Sequence, residues 1–362
     1  MKYYCLDQFK TLSLQSTNTG NVLISPCCAS TRSIADSNTF NFTTNEFLTD
    51  IRNDTLNDIP APACNRCWRT EETSTTSRRL LLRNNDTTDT NTELRRVDIT
   101  TQNICNLACI GCDPGSSSTW EKELGITDRD YSYEDKIKLF LNLDHSKITH
   151  IHFTGGEPLM TSEHSKILEI YSRTVPLSQL YVSYNTNVTF FPNQDVINMW
   201  KQLRSLHLTF SIDATGSQAE LLRWPCKWDQ VSETLEKFSQ LRKEIPHVNT
   251  NFIACVSNYN TLELTNIKKL SDEFGPSHPL QLQLNNRIHY GPEMIPDNLV
   301  DATVDLLSTD PVFDEIVSRI KIRPDKLTVK HNWANCVKYL DSLDAKRNTN
   351  WRDTLKIGQY VN

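Results

Sequence analysis

Cys105, Cys109 and Cys112 sit in the run CNLACIGC, a Cys-x3-Cys-x2-Cys spacing that places three thiolates within eight residues. Three thiolates so close can hold three corners of a cubane iron–sulfur cluster and leave the fourth iron open to a small-molecule ligand. An incomplete protein shell makes such a cluster reactive rather than only electron-carrying. A zinc site wants four ligands and shows paired C-x2-C spacing instead. A second signal, TGGEPL at residues 154–159, closes the strand-like run ITHIHF. Its glycines let backbone approach a ligand closely, and a carbonyl or carboxylate there meets an ammonium. Alone, GGEP also reads as a turn into a helix, with Glu157 where the helix dipole favours an acid.

These motifs need a scaffold. From residue 94 onward strand-like stretches at 95–100, 148–153, 179–184, 206–212, 248–256 and 280–285 alternate with amphipathic ones at 162–173, 195–204, 229–243 and 261–273. Such alternation implies parallel β–α units, here about six. The cysteine loop follows the first strand, GGEP the second, NTN the third, and SID ends the fourth. In β/α barrels chemistry gathers at the carboxyl ends of strands. The expected fold is α/β, a partial (β/α)6 TIM-like barrel over residues 94–290. A C-terminal helical extension follows over 291–362, with helices at 296–307, 312–321 and 333–346. Residues 1–82 hold five cysteines and little periodic apolar pattern, with a turn-then-strand signal in NTGNVLISPCC. The polar run at 83–93 reads as a linker or exposed loop.

Bulk properties exclude several classes. The 362 residues carry 38 Lys and Arg against 44 Asp and Glu, a net charge of −6. No basic excess of the nucleic-acid-binding kind exists. The longest apolar runs are strand-length, short of the ~20 residues of a membrane span. No signal-peptide core opens the chain, so a cytoplasmic protein is expected. Eleven cysteines in a reducing compartment mean metal or redox chemistry more often than disulfides.

Together CNLACIGC and TGGEPL resemble the radical S-adenosylmethionine (SAM) superfamily. The resemblance implies an enzyme in which Cys105, Cys109 and Cys112 hold a 4Fe–4S cluster whose unique iron is chelated by SAM. Gly155, Gly156, Glu157 and Pro158 then bind the methionyl amino group. Reductive cleavage of SAM gives a 5′-deoxyadenosyl radical that abstracts hydrogen from an unactivated carbon. Asn185 and Asn187 in YNTN, and Ser211 and Asp213 in FSIDATG, match segments that contact ribose and the methionyl carboxylate in relatives. Each is also a routine turn or cap residue. Arg223 in ELLRWPCKW falls where relatives often place an arginine near that carboxylate, or is a solvated helix residue. The position before the last cysteine, commonly aromatic in the family, is Gly111 here.

The N-terminal cysteines resemble the twitch half of SPASM/twitch accessory domains, in the variant that precedes the barrel. Cys5, a stretched G-N-V-L-I-S-P-C element ending at Cys27, and Cys64 with Cys67 imply ligands to an auxiliary 4Fe–4S cluster. The tryptophan usual soon after the first cysteine is missing. Cys27 is preferred to Cys28 because consecutive side chains of an extended segment point opposite ways. C-x2-C alone leaves a zinc ribbon open. Accessory clusters of this type imply peptide or protein modification, with sugar or other small-molecule dehydrogenation or epimerisation as the alternative. They also imply a flavodoxin- or ferredoxin-type reductant. A non-enzymatic iron–sulfur or zinc interaction protein is the reading from another class. Cys226 in WPCKW is a hydrogen-atom donor or an ordinary thiol, and Cys255 in FIACV reads as a small buried hydrophobe.

Overall fold

The computed structural model describes residues 1–73, 77–82, 88–129, 132–285, 287 and 289–360. The chain forms two compact units, the first Met1–Cys105, Pro114–Asn185 and Pro192–His207, the second Asn106–Asp113, Thr186–Phe191 and Leu208–Asn362.

The first unit opens with α1 (Asp7–Lys10) and strands β1 (Thr11–Ser16), β2 (Val22–Ser25) and β3 (Ser33–Ala35). Helices α2 (Glu46–Leu56), α3 (Asn65–Thr73) and α4 (Arg78–Leu82) precede β4 (Arg96–Thr100). It continues with α5 (Ser118–Leu124), α6 (Glu134–Leu141), β5 (His150–Thr154), α7 (Glu163–Ser172), β6 (Tyr181–Thr186) and α8 (Gln194–Trp200). Its strands lie in the order β3-β2-β1-β4-β5-β6. β1 runs antiparallel to β2 and β2 to β3, whereas β1–β4, β4–β5 and β5–β6 are parallel.

Alternation decides the faces. Leu12 and Leu14, Val97 and Ile99, Ile151 and Phe153, Val182 and Tyr184 all bury, each large side chain contributing about 1.5–3 kcal/mol. The intervening positions form a polar row in register, Ser13 beside Asp98, Asp98 beside His152, His152 beside Ser183. Side chains one residue apart point to opposite faces, so this polar face belongs to the same strands that build the core.

The expected boundary at 82/83 does not separate compact units. Residues 1–82 add three strands to the sheet that contains β4, and Thr11–Leu14 pair with Arg96–Ile99. The apolar residues of β1 amount to Leu12 and Leu14, too short a pattern to announce a strand whose parallel partner lies over eighty residues on. Of the expected linker, residues 83–87 lie outside the described residues. The rest is anchored: Tyr4 Oη donates to the Asp89 carbonyl at 3.0 Å and Lys10 Nζ to that of Asn91 at 2.6 Å.

β7 (Ser205–Ser211) leads into the second unit, which holds α9 (Gly216–Leu222), α10 (Trp228–Glu244), β8 (Val248–Val256), α11 (Leu264–Phe274), β9 (Gln281–Leu284), α12 (Val300–Leu307), α13 (Asp314–Lys321) and α14 (Lys326–Arg347). β8 and β9 are parallel. α14 starts earlier than its apolar pattern suggests because the Asp325 carboxylate caps it, accepting from the Leu327 and Thr328 N–H groups at 3.0 Å each. Each strand expected from residue 94 onward has its counterpart in β4–β9, with helices between them, and the fold is α/β. Among the described residues no helix is long and apolar enough to cross a membrane.

Candidate active site

In the first unit the GGEP turn closes β5 and leans on the chain leaving β4. Gly156 N–H donates to the Gln102 carbonyl at 3.2 Å and Glu157 N–H to that of Ile104 at 2.7 Å. A Cβ at Gly156 would stand 2.3 Å from the Ile104 oxygen, and one at Gly155 2.4 Å from Thr101 Oγ1. Gly155 also has φ of +138°. Two glycines are therefore required by space at one position and by both space and conformation at the other. Glu157 is fully buried and caps the short turn that follows, its Oε1 accepting from Leu159 N–H at 3.2 Å. Cys105 sits at the end of this approach, its carbonyl accepting from Ser118 Oγ at 3.2 Å and Thr119 Oγ1 at 2.7 Å. Beside the turn lies a polar cavity of about 220 Å³ whose lining includes Ser16, Arg32, Thr101, Asn103 and both glycines. Asn185 is half-buried near the carboxyl end of β6.

The N-terminal cysteines come together in the same unit. Cys5, Cys27, Cys64 and Cys67 line one cavity with Asp7, Arg78 and Arg79. Cys28 is exposed and lines no part of it. Burial raises the Cys5 thiol pKa, pushes that of Cys27 up to about 12, and raises that of Cys64 despite the bond from Gln8 Nε2 to its sulfur at 3.4 Å. Arg78 bonds Asp7 Oδ2 at 2.6 Å, and Arg79 pairs with Glu71. Among the described residues no group of three or more His, Cys, Asp or Glu side chains is arranged to hold a metal ion. A single zinc would draw its sulfurs to about 2.3 Å of one point. A cubane takes one cysteine per iron, and four cysteines lining one cavity with two arginines are the donor set such an anionic group would need.

The second unit carries Cys109 and Cys112 on a loop pinned by backbone bonds. Ile110 N–H donates to the Leu222 carbonyl at 2.8 Å, and Arg347 Nη2 to that of Ala108 at 2.9 Å. The two thiols are hydrogen-bonded to each other, which lowers the pKa of Cys109 and raises that of Cys112. Arg223 is buried beside them; its Nη1 bonds Asp213 Oδ2 at 2.6 Å, and its Nε has no hydrogen-bond partner among the described residues. Burial works against its charge, but Cys109 and Asp213 more than offset this, so its pKa is raised. Asp213 Oδ1 accepts from Cys255 N–H at 2.8 Å, and Ser211 ends β7 half-buried. Asn187 Nδ2 donates to Asn106 Oδ1 at 3.1 Å, and Thr189 Oγ1 to the same atom at 3.1 Å, tying the NTN segment to the cysteine loop. Asn106, Thr189 and Arg347 carried no signal in the sequence, because their partners are distant in the chain. Cys226 is a buried thiol donating to the Ala219 carbonyl at 3.3 Å. Cys255 is only half-buried, and its sulfur would lie 4.0 Å from a Cβ at Gly111. That departs from the expected buried hydrophobe, because the strand end frees one side of it.

The radical SAM superfamily profile matches residues 99–270, just under half the chain, from the end of β4 into α11. No curated protein matches the chain. Among solved structures it is similar to native anSMEcpe with bound AdoMet and Kp18Cys peptide, at 16% identity and TM-score 0.42, covering 59% of this chain and 60% of that one. It is also similar to Streptococcus suis SuiB bound to S-adenosylmethionine, at 11% identity and TM-score 0.39, covering 53% and 41%. Against SuiB bound to precursor peptide SuiA the figures are 10% and 0.39, covering 82% and 69%. The chain thus spans 60% of the length of the first of these. The matched region is a radical SAM domain, and its superfamily implies a 4Fe–4S cluster and SAM. The chain is an enzyme with an α/β fold.

Proposed function

We propose that this enzyme reductively cleaves SAM to a 5′-deoxyadenosyl radical and abstracts hydrogen from a substrate C–H bond, in peptide or protein modification. The observation that carries the reading is the superfamily match, which begins at residue 99 and takes in both the cysteine run and GGEP. Cys105, Cys109 and Cys112 are the cluster ligands in this reading, by their spacing. When bound there, a 4Fe–4S cluster supplies the electron that splits the sulfonium.

The chain's own residues bind and orient. Gly155–Pro158 receive the methionyl ammonium, with no side chain in the way at either glycine. Asn185, Asn187, Ser211 and Asp213 serve ribose and carboxylate. Arg223, already held by Asp213, offers its unpartnered Nε as a fixed cation rather than a mobile one. Cys5, Cys27, Cys64 and Cys67 hold an auxiliary 4Fe–4S cluster, and their shared cavity supports that set. Peptide modification follows from the twitch resemblance, as do a flavodoxin- or ferredoxin-type reductant and a cytoplasmic setting.

The test is chromatographic. Anaerobically reconstituted, reduced protein should convert SAM to 5′-deoxyadenosine. The triple variant Cys105→Ala, Cys109→Ala, Cys112→Ala should not, while retaining iron at the N-terminal set. Undiminished 5′-deoxyadenosine from the triple variant would refute the assignment.

A further inference from the structure

The first unit contains an ion pair that the chemistry above does not use. Lys136 on α6 and Glu163 at the start of α7 are 1% and 0% exposed, with Nζ and Oε1 2.8 Å apart. Burial lowers the pKa of the ammonium and raises that of the carboxyl, each opposed by the partner's charge. Such a pair is weak evidence of stabilisation, since apolar residues of similar volume often serve a fold as well. Its value lies in what else it holds.

Glu163 turns only Oε1 to the ammonium, which leaves Oε2 to orient on another partner. Lys136 Nζ donates to the carbonyl of Thr100, the last residue of β4, and Glu163 Oε2 accepts from Gln102 N–H at 3.1 Å. Two helices thus grip the strand end on either side of Thr101. The gripped segment is the one GGEP leans on. The Gln102 carbonyl accepts from Gly156 N–H, Thr101 N–H and Oγ1 donate to the Thr154 carbonyl at 2.8 and 2.9 Å, and the Ile104 carbonyl accepts from Glu157 N–H. Past Thr100 the β4–β5 ladder ends, so buried side chains must supply the partners that a neighbouring strand supplies elsewhere.

We infer that Lys136 and Glu163 are positioning residues: the pair fixes residues 100–104, the approach to Cys105, against the Gly155–Glu157 turn, and through that turn sets the grip on SAM. The last step rests on the reading of Gly155–Pro158 as a SAM-binding turn.

The deciding variant is the double replacement Lys136→Met with Glu163→Leu, in the full chain with its clusters reconstituted. Removing one partner alone strands a buried charge and risks the fold, whereas replacing both keeps it. The double variant should fold and keep its iron content, with a melting temperature somewhat lowered because the Thr100 carbonyl and Gln102 N–H each lose a buried partner. Hydrogen exchange at Gln102, Gly156 and Glu157 should quicken at least tenfold, and the Kd for SAM by equilibrium dialysis should rise at least tenfold. A purely structural pair would move the melting temperature and leave exchange at these amides and the Kd of the folded protein alone; that result overturns the inference. Wild-type protein that binds no SAM would refute the functional reading instead, and the exchange at Gly156 would then decide the positioning by itself.

Discussion

Replacing Gly156 by Ala adds one methyl group, and the surroundings state what it meets. The new Cβ would lie 2.3 Å from the Ile104 oxygen, 2.6 Å from the Asn103 carbonyl carbon and 2.7 Å from the Asn103 oxygen. All three atoms are backbone, so no flexible side chain can swing away. Overpacking a tight site typically costs 1–3 kcal/mol. The relief available here is to part the two segments, which forfeits the Gly156–Gln102 and Glu157–Ile104 bonds, about 0.5–1.5 kcal/mol each. The expected loss is therefore about 1–3 kcal/mol either way, as strain if the turn stays closed or as the two forfeited bonds, with a displaced turn, if it opens.

Gly125 is the internal control. It terminates α5 in a left-handed conformation, φ +66°, and a Cβ there meets nothing within 4 Å. Gly125→Ala should cost only about 1 kcal/mol and leave SAM cleavage untouched. Urea unfolding together with 5′-deoxyadenosine release should separate the two variants cleanly. If Gly156→Ala matches Gly125→Ala in both stability and SAM cleavage, the close approach of turn and loop is not what requires glycine, and the reasoning fails.

Three other outcomes are expected. Cys27→Ser should lose the auxiliary cluster and Cys28→Ser keep it, read as iron per chain falling from about eight to about four; zinc in place of the missing iron would make the N-terminal site a zinc module. His164 is 2% exposed and burial lowers its pKa to about 4, so its neutral form is full-strength above the unfolded value of 6.5 and is lost as pH falls toward 4. That is worth at most about 3 kcal/mol, and His164→Leu should flatten the pH dependence of the urea midpoint across that window, though His152, lowered likewise, keeps part of the slope. Arg223→Met should destabilise the protein by about 1–3 kcal/mol by leaving the half-buried Asp213 without its cation, whereas Arg223→Met with Asp213→Leu should recover most of that loss without restoring SAM cleavage.

What the sequence discloses and what it hides divide along a physical line. The stretch 248–256 is β8 to the residue, and 95–100 differs from β4 by one, because buried parallel strands announce themselves by short apolar runs between helical periodicities. β1 is not legible although it is no less buried, since two leucines in TLSLQS are too few to establish a period. The site divides in the same way. Cys105, Cys109 and Cys112 are legible because their proximity is covalent, and Gly155 and Gly156 because close approach of backbone leaves no other residue type. Lys136 and Glu163 are 27 positions apart and each alone reads as an ordinary helix-surface charge. The packing of α6 and α7 takes both out of water and turns them onto Thr100 and Gln102. The same holds for Asn106 and Thr189, unremarkable polar residues until the fold brings Thr189 Oγ1 and Asn187 Nδ2 to the Asn106 Oδ1. Groups that make bonds to a cofactor leave local signatures, because the cofactor is small and its ligands must be near one another. Groups that hold those ligands in place answer to the fold, and the fold collects them from anywhere in the chain.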